Sequence, residues 1–183
     1  MPHRRAIAAL TPYVDGGIPV VGLEPSCLYS FRDEIPSLLK SADARRLADQ
    51  ALLFEDYLAR EASAGRLNVP LAPIAKRALL HGHCHQKSFA AMGAVEAALK
   101  LVPELAVETV ESSCCGMAGA FGYEADHYDV SMQMAELNLL PAVRKAAPDA
   151  LIVADGTSCR HQIHDGAGRD AVHVARVLEQ ALA

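Results

Sequence analysis

The chain has 183 residues, is 51% hydrophobic and 21% charged, and carries a formal net charge of −5. This composition suits a packed globular protein of one good-sized domain or two intimately packed lobes, and its scattered basic residues leave no electrostatic footprint for nucleic acid. No apolar run approaches the ~20 residues of a membrane span, and no secretory core follows the basic start Met1-Pro2-His3-Arg4-Arg5.

Residues 4–14 are expected to form a short helix ending at Gly16-Gly17, followed by a strand through 18–23 that stops in the turn Glu24-Pro25-Ser26-Cys27. Ser41 reads as the N-cap of a long amphipathic helix through about Ala64, ended by Gly65. A strand at Arg77–His81 runs into His81-Gly82-His83-Cys84-His85, and a helix of small and apolar residues follows from Gln86 to about Leu101. The next strand spans 105–110 and ends in the loop from Ser112 to Gly122, which contains Cys114-Cys115-Gly116. A helix is expected over roughly 124–146, bent by Pro141. The strand Leu151–Ala154 then leads to Asp155-Gly156-Thr157-Ser158-Cys159, and short helices near 160–165 and 172–182 close the chain.

Strands alternating with helices predict an α/β fold, a parallel sheet flanked by helices on both faces. Ligands in such sheets collect at the carboxyl ends of the strands. Four predicted strands deliver cysteines there: Cys27, Cys84, Cys114 with Cys115, and Cys159. A weak internal echo joins residues 20–27 to residues 152–159, each an apolar strand, an acidic residue, a turn former and Ser-Cys.

Five cysteines in a chain expected to be cytosolic read as metal-binding or catalytic, because thiols stay reduced there. Cys114 and Cys115 are poor disulfide partners, since consecutive Cα atoms lie about 3.8 Å apart and disulfides prefer roughly 4.4–6.8 Å. Both can reach one metal or cluster.

There are 29 residues between Cys84 and Cys114 and 43 between Cys115 and Cys159. This spacing resembles the cysteine-rich CCG domain, which occurs in heterodisulfide reductase and in the iron–sulfur subunits of glycolate oxidase and anaerobic glycerol-3-phosphate dehydrogenase. Gly22-Leu23-Glu24-Pro25-Ser26-Cys27, His83-Cys84-His85-Gln86-Lys87, Cys114-Cys115-Gly116-Met117-Ala118-Gly119 and Ser158-Cys159-Arg160 are most similar to the C-terminal domain of FAD-linked 2-hydroxyacid oxidases. The resemblance implies an iron–sulfur electron-transfer domain of a larger oxidoreductase acting on a D-2-hydroxyacid such as lactate, glycolate or 2-hydroxyglutarate. It also implies FAD and ferredoxin-type domains, in the same polypeptide or a partner subunit, as partners. The location would be cytoplasmic, or peripheral to the inner face of a membrane through those partners. On this reading residues 1–40 are the tail of a preceding repeat, and 41–183 a complete repeat packed with it as one globular unit.

The family pattern ends in Cys-x-x-Cys, whereas here Gln162 stands three residues after Cys159. The metal ligands expected are Cys84, Cys114, Cys115 and Cys159, with Cys27 belonging to the truncated copy unless the sites meet. Four thiolates suit a [4Fe–4S] cluster or a closed zinc site, and the family context favours iron. His83, His85, Gly116, Gly119 and His161 are expected around the ligands as hydrogen-bond partners, His161 also as a stand-in ligand. If the strand continued past His81, then His81, His83 and His85 would share one face, and one of them could replace a missing thiolate. Met117, Phe121 and Tyr123 would cover the site. His127 and His173 are given no metal role, and Asp155 reads as a turn residue. A zinc-stabilised interaction domain and a thiol–disulfide enzyme using Cys114 and Cys115 remain the alternatives.

Overall fold

The computed structural model describes residues 2–183. Its larger sheet has four parallel strands in the order β4-β3-β5-β6, formed by β3 (Arg77–His81), β4 (Ala106–Thr109), β5 (Leu151–Ala154) and β6 (Ala171–Val172). Ala78-Leu79-Leu80 and Ile152-Val153-Ala154 are apolar without alternation because these central strands are covered on both faces. Side chains still alternate between the two covers. Leu80 and Val153 pack with Val95, Leu99 and Val177 of α7 (Met92–Leu99) and α11 (Val174–Ala181). Leu79 and Ile152 pack with Leu139, Val143 and Ile163 of α9 (Leu139–Lys145) and α10 (Thr157–Ala167), together with Cys115 and Cys159.

After β3 the chain crosses to β4 on one side, and after β5 it crosses to β6 on the other. The carboxyl ends of β3 and β5 therefore flank a topological switch point, the crevice where open α/β sheets bind ligands. His81 and Ala154 are registered across it.

A smaller lobe surrounds a two-stranded parallel sheet, β1 (Val20–Gly22) with β2 (Ala51–Leu53). It contains α1 (Pro2–Asp15), α2 (Pro25–Arg32), α3 (Glu34–Leu39), α4 (Ala42–Gln50) and α5 (Phe54–Ser63). Its helices meet the larger lobe where α5 packs on α7, and α2 on α6 (Cys84–Ser88). β1, β3 and β5 each lead through a two-residue link into a helix, and Cys27 and Cys159 both stand third in theirs.

The α/β expectation of parallel strands with helical cover holds, but several boundaries change. Ser41 does cap a helix, its Oγ accepting from the Ala44 N–H at 3.2 Å. That helix ends at Gln50, because Ala51-Leu52-Leu53 pairs with β1 instead of completing another turn. α5 restarts at once, and the Leu53 N–H donates to Asp56 Oδ2 at 3.3 Å as its cap. The helix expected over 86–101 begins earlier, at Cys84, and divides at Ala90, whose φ is +55°. The helix expected over 124–146 begins as a 3-10 turn and breaks at Leu137-Asn138 between α8 (Tyr128–Glu136) and α9. Pro141 is thus not the bend: it is the third residue of α9, where its missing N–H costs nothing.

Leu80, fully buried as the fourth residue of β3, is the core's most direct probe. Leu80→Ala should cost about 2–5 kcal/mol, read as a lower denaturation midpoint at unchanged slope.

Candidate metal centre

Cys84 is the first residue of α6 and Cys159 the third of α10, so both occupy first helical turns at the switch point. Cys114 and Cys115 arrive from the irregular loop after β4. The four thiols influence one another in series, Cys84 with Cys114, Cys114 with Cys115, and Cys115 with Cys159. The Cys115 and Cys159 sulfurs are 3.2 Å apart. This mutual influence sorts the charge. Cys114, beside Cys115 and Cys84, is held well below the usual thiol range, as is Cys159, beside Cys115 and His81. Cys84 and Cys115 are pushed up by those same neighbouring thiols and by burial.

Gly116 (φ +92°) makes the loop possible: its N–H donates to Cys114 Sγ at 3.3 Å, and a Cβ there would lie 2.1 Å from the Ser131 carbonyl oxygen. Gly156 performs the same service in the β5–α10 link. A Cβ there would come within 2.5 Å of the His83 ring and 3.1 Å of Cys159 Sγ.

The strand stops at His81, so His81, His83 and His85 do not share a strand face, and each does something different. His81 is buried and a ring nitrogen lies within 4.8 Å of both Cys115 and Cys159 sulfurs. Its Nδ1 bonds Ser112 Oγ at 2.9 Å, and its buried Nε2 has no hydrogen-bond partner. His83 accepts at Nδ1 from the His85 N–H (3.2 Å), which leaves its proton on Nε2 for Ser26 Oγ (3.2 Å); burial lowers its pKa and keeps it neutral. His83 is therefore a tie to the smaller lobe. His85 is half-buried, with its ring edge on Tyr29 at 5.9 Å between centroids.

His161 is exposed, and its Nδ1 is taken by the Tyr123 hydroxyl at 2.6 Å. Gln162, in place of the pattern's last cysteine, is buried and donates to the Ser131 carbonyl (3.1 Å) and hydroxyl (3.0 Å). That position pins the glycine loop's neighbour; it offers no sulfur. Gly119 is exposed at the loop tip. Met117 is buried in the same cluster as Cys115 and Cys159, Phe121 is half-buried, and Tyr123 is exposed. Cys27 is exposed on α2, outside the chain of four thiols, though the adjacent Ser26 reaches His83.

Lys87, not singled out in the sequence, completes the electrostatics. Its ammonium holds the Ser112 carbonyl and, at 3.1 Å, the Ser113 carbonyl. Burial lowers its pKa, and the four thiols oppose that shift, as expected of a cation kept beside thiolate charge. Gln86 is fully buried, accepting from the His83 N–H at 2.9 Å and donating to Asp155 Oδ2 at 2.7 Å. It locks the β3 link to the β5 link. Soft thiolates with one buried imidazole, gathered at a strand crevice, suit an iron–sulfur cluster or zinc.

Residues 78–164 match the family model of the cysteine-rich domain termed CCG. The chain is 30% identical over 167 residues to one of the subunits of anaerobic glycerol-3-phosphate dehydrogenase from Escherichia coli, an overlap covering 91% of this chain and 41% of that protein. It is 29% identical over 165 residues to D-2-hydroxyglutarate dehydrogenase of the same organism, covering 88% of this chain and 15% of that one. With the Pseudomonas putida D-2-hydroxyglutarate dehydrogenase it shares 29% identity over 190 residues, 96% and 16% of the two chains. The chain thus spans less than half the length of these relatives. No solved structure matches it.

Glu24 clasps the site from the smaller lobe, accepting from the Thr157 N–H (2.9 Å) and hydroxyl (2.8 Å). Burial alone would raise its pKa, but these bonds outweigh burial and hold it below the usual range. A depressed carboxylate stabilises the fold above its unfolded pKa and loses that contribution as pH falls through its folded value. Glu24→Gln should therefore destabilise at neutral pH, with the gap to wild type closing below about pH 4 in denaturant titrations.

Proposed function

We propose, on the premise that this chain belongs to the cysteine-rich CCG family through residues 78–164, that it is an electron-transfer domain holding one iron–sulfur cluster. The observation carrying this reading is the contiguous set Cys84, Cys114, Cys115 and Cys159, with two sulfurs already 3.2 Å apart at the switch point. When bound, a [4Fe–4S] cluster supplies one-electron chemistry through thiolate ligands. Those four side chains would hold it, and His81 offers a buried nitrogen at the same place. The Gly116 amide withdraws charge from the Cys114 sulfur, and Lys87 offsets the thiolate charge; both favour the more negative, reduced state. Met117 and the Leu79 face of the sheet keep water from the buried side.

Electrons would come from a flavin, through ferredoxin-type clusters, in the same polypeptide or a partner subunit, after oxidation of a D-2-hydroxyacid such as lactate, glycolate or 2-hydroxyglutarate. The names of the relatives, dehydrogenases of a 2-hydroxyacid and of glycerol 3-phosphate, support an oxidoreductase setting. We also take residues 1–40 as the tail of a preceding repeat, because β1–α2 repeats the strand, two-residue link and helix of β5–α10 with Cys27 standing for Cys159. Cys27 would then serve that repeat's own centre. The parallel pairing of β1 with β2 supports reading this tail as packed with 41–183 in one unit.

One observation favours a second reading. His81, Cys115 and Cys159 would supply three of the four mixed nitrogen and sulfur donors of a structural zinc site, which would make this an interaction domain without redox work. Anaerobic purification followed by metal and sulfide analysis separates the two. The electron-transfer reading predicts iron, sulfide and a visible charge-transfer band that bleaches on reduction. That band should be lost in Cys115→Ser and Cys159→Ser and kept in Cys27→Ser. Colourless protein with stoichiometric zinc would reject it.

A further inference from the structure

His81 is the last residue of β3, buried at the switch point. Its Nδ1 lies 2.9 Å from Ser112 Oγ, and its buried Nε2 has no hydrogen-bond partner. A ring nitrogen of His81 and the sulfurs of Cys115 and Cys159 all lie within 4.8 Å of one another. His85 Nδ1 is likewise buried and unpartnered, but that ring is set edge-on to Tyr29 of the smaller lobe. Among the described residues His85 shares no such group with two sulfurs. The chain also lacks the thiol with which the family pattern ends. Gln162 stands there, and its amide donates to Ser131.

The position of one proton decides what His81 can do. Lys87 is an ammonium, with three donors and no acceptor, and it reaches Ser112 Oγ at 3.3 Å. A hydroxyl oxygen has two lone pairs, so Ser112 Oγ keeps one to accept the His81 Nδ1–H. The ring is then neutral, its single proton is on Nδ1, and the Nε2 lone pair is free. No proton has to leave for a metal to bind there. Metal-bound histidines are held in this way, the second nitrogen donating to a nearby polar group. The opposite tautomer would leave a buried N–H on Nε2, for which the structure offers no aligned acceptor. Metal–sulfur bonds of about 2.3 Å and metal–imidazole bonds of about 2.0–2.1 Å put donors on one ion ~3–4 Å apart. The Cys115 and Cys159 sulfurs, at 3.2 Å, are already in that range.

On the iron–sulfur reading of the thiol centre, on which this depends, we propose that His81 Nε2 is a direct iron ligand, on the buried side beside Cys115 and Cys159. The protein then offers five donors, four thiolates and one imidazole, with Ser112 and Lys87 holding the imidazole in its ligating tautomer. Compared with a thiolate in the fifth position, a neutral ring leaves the centre one negative charge lighter. Its reduction potential is higher for that reason, as where histidine replaces cysteine in other clusters. A higher potential suits a centre that takes electrons from ferredoxin-type clusters.

The test is pulsed electron paramagnetic resonance of the full chain, reconstituted with iron and sulfide, reduced, and labelled in histidine alone with the heavy nitrogen isotope. Wild type should show the strong coupling of one directly bound nitrogen. His81→Asn, which keeps an amide donor for Ser112 and removes Nε2, should lose that coupling, and His85→Asn should keep it. If His81→Asn does not fold or load, His81→Cys takes its place, with the coupling lost and the reduction potential lowered. A loaded cluster showing only the weak couplings of unbound nitrogens would overturn the ligand assignment and leave the iron–sulfur reading standing. A strong coupling that survives the His81 substitution would do the same. A chain that takes up no iron and sulfide would overturn both.

Discussion

The pairing of His81 with Ala154, at the ends of two parallel strands from which the chain departs in opposite directions, governs the rest of the molecule. It opens a crevice between the β3 and β5 links. Two-residue links then deliver Cys84 and Cys159 to that crevice in first helical turns, where unpaired amides favour negative charge. The loop after β4 supplies the remaining two thiols from the side. Residues 75 positions apart in sequence thus converge without any local motif joining them.

Gathering four thiols has an electrostatic cost, and the surrounding residues answer it. Neighbouring thiols shift one another in opposite directions, Cys114 and Cys159 down and Cys84 and Cys115 up, so the two lowered thiols are not adjacent in the series. Lys87 adds a positive charge, and the Gly116 amide adds a dipole on Cys114. The polar ties Gln86–Asp155, His83–Ser26 and Glu24–Thr157 fix the links that position the sulfurs. Two buried imidazole nitrogens nearby, His81 Nε2 and His85 Nδ1, are left without hydrogen-bond partners, and the His81 ring lies beside the Cys115 and Cys159 sulfurs. An orphaned nitrogen in such a place is what a ligand position looks like before its metal is considered.

The central strands were readable in the sequence because a strand buried on both faces must be continuously apolar, as Ala78-Leu79-Leu80 and Ile152-Val153-Ala154 are. Cysteines just beyond those runs made the convergence legible too. β2 was not readable, because Ala51-Leu52-Leu53 fits a helix until β1 is known to lie beside it. β6 has only two residues, too short to show a period. Of the alternating histidines, spacing could not say which would be turned inward, since the strand ends at the first.

Joint ligation by the four thiols is tested most directly by thiol-specific alkylation of the anaerobically reconstituted chain, quantified peptide by peptide against the metal-free form. Cys84, Cys114, Cys115 and Cys159 should lose reactivity together while metal stays bound, and Cys27 should react equally in both forms. Metal remaining bound while any two of those four stay as reactive as in the metal-free chain would contradict a shared centre.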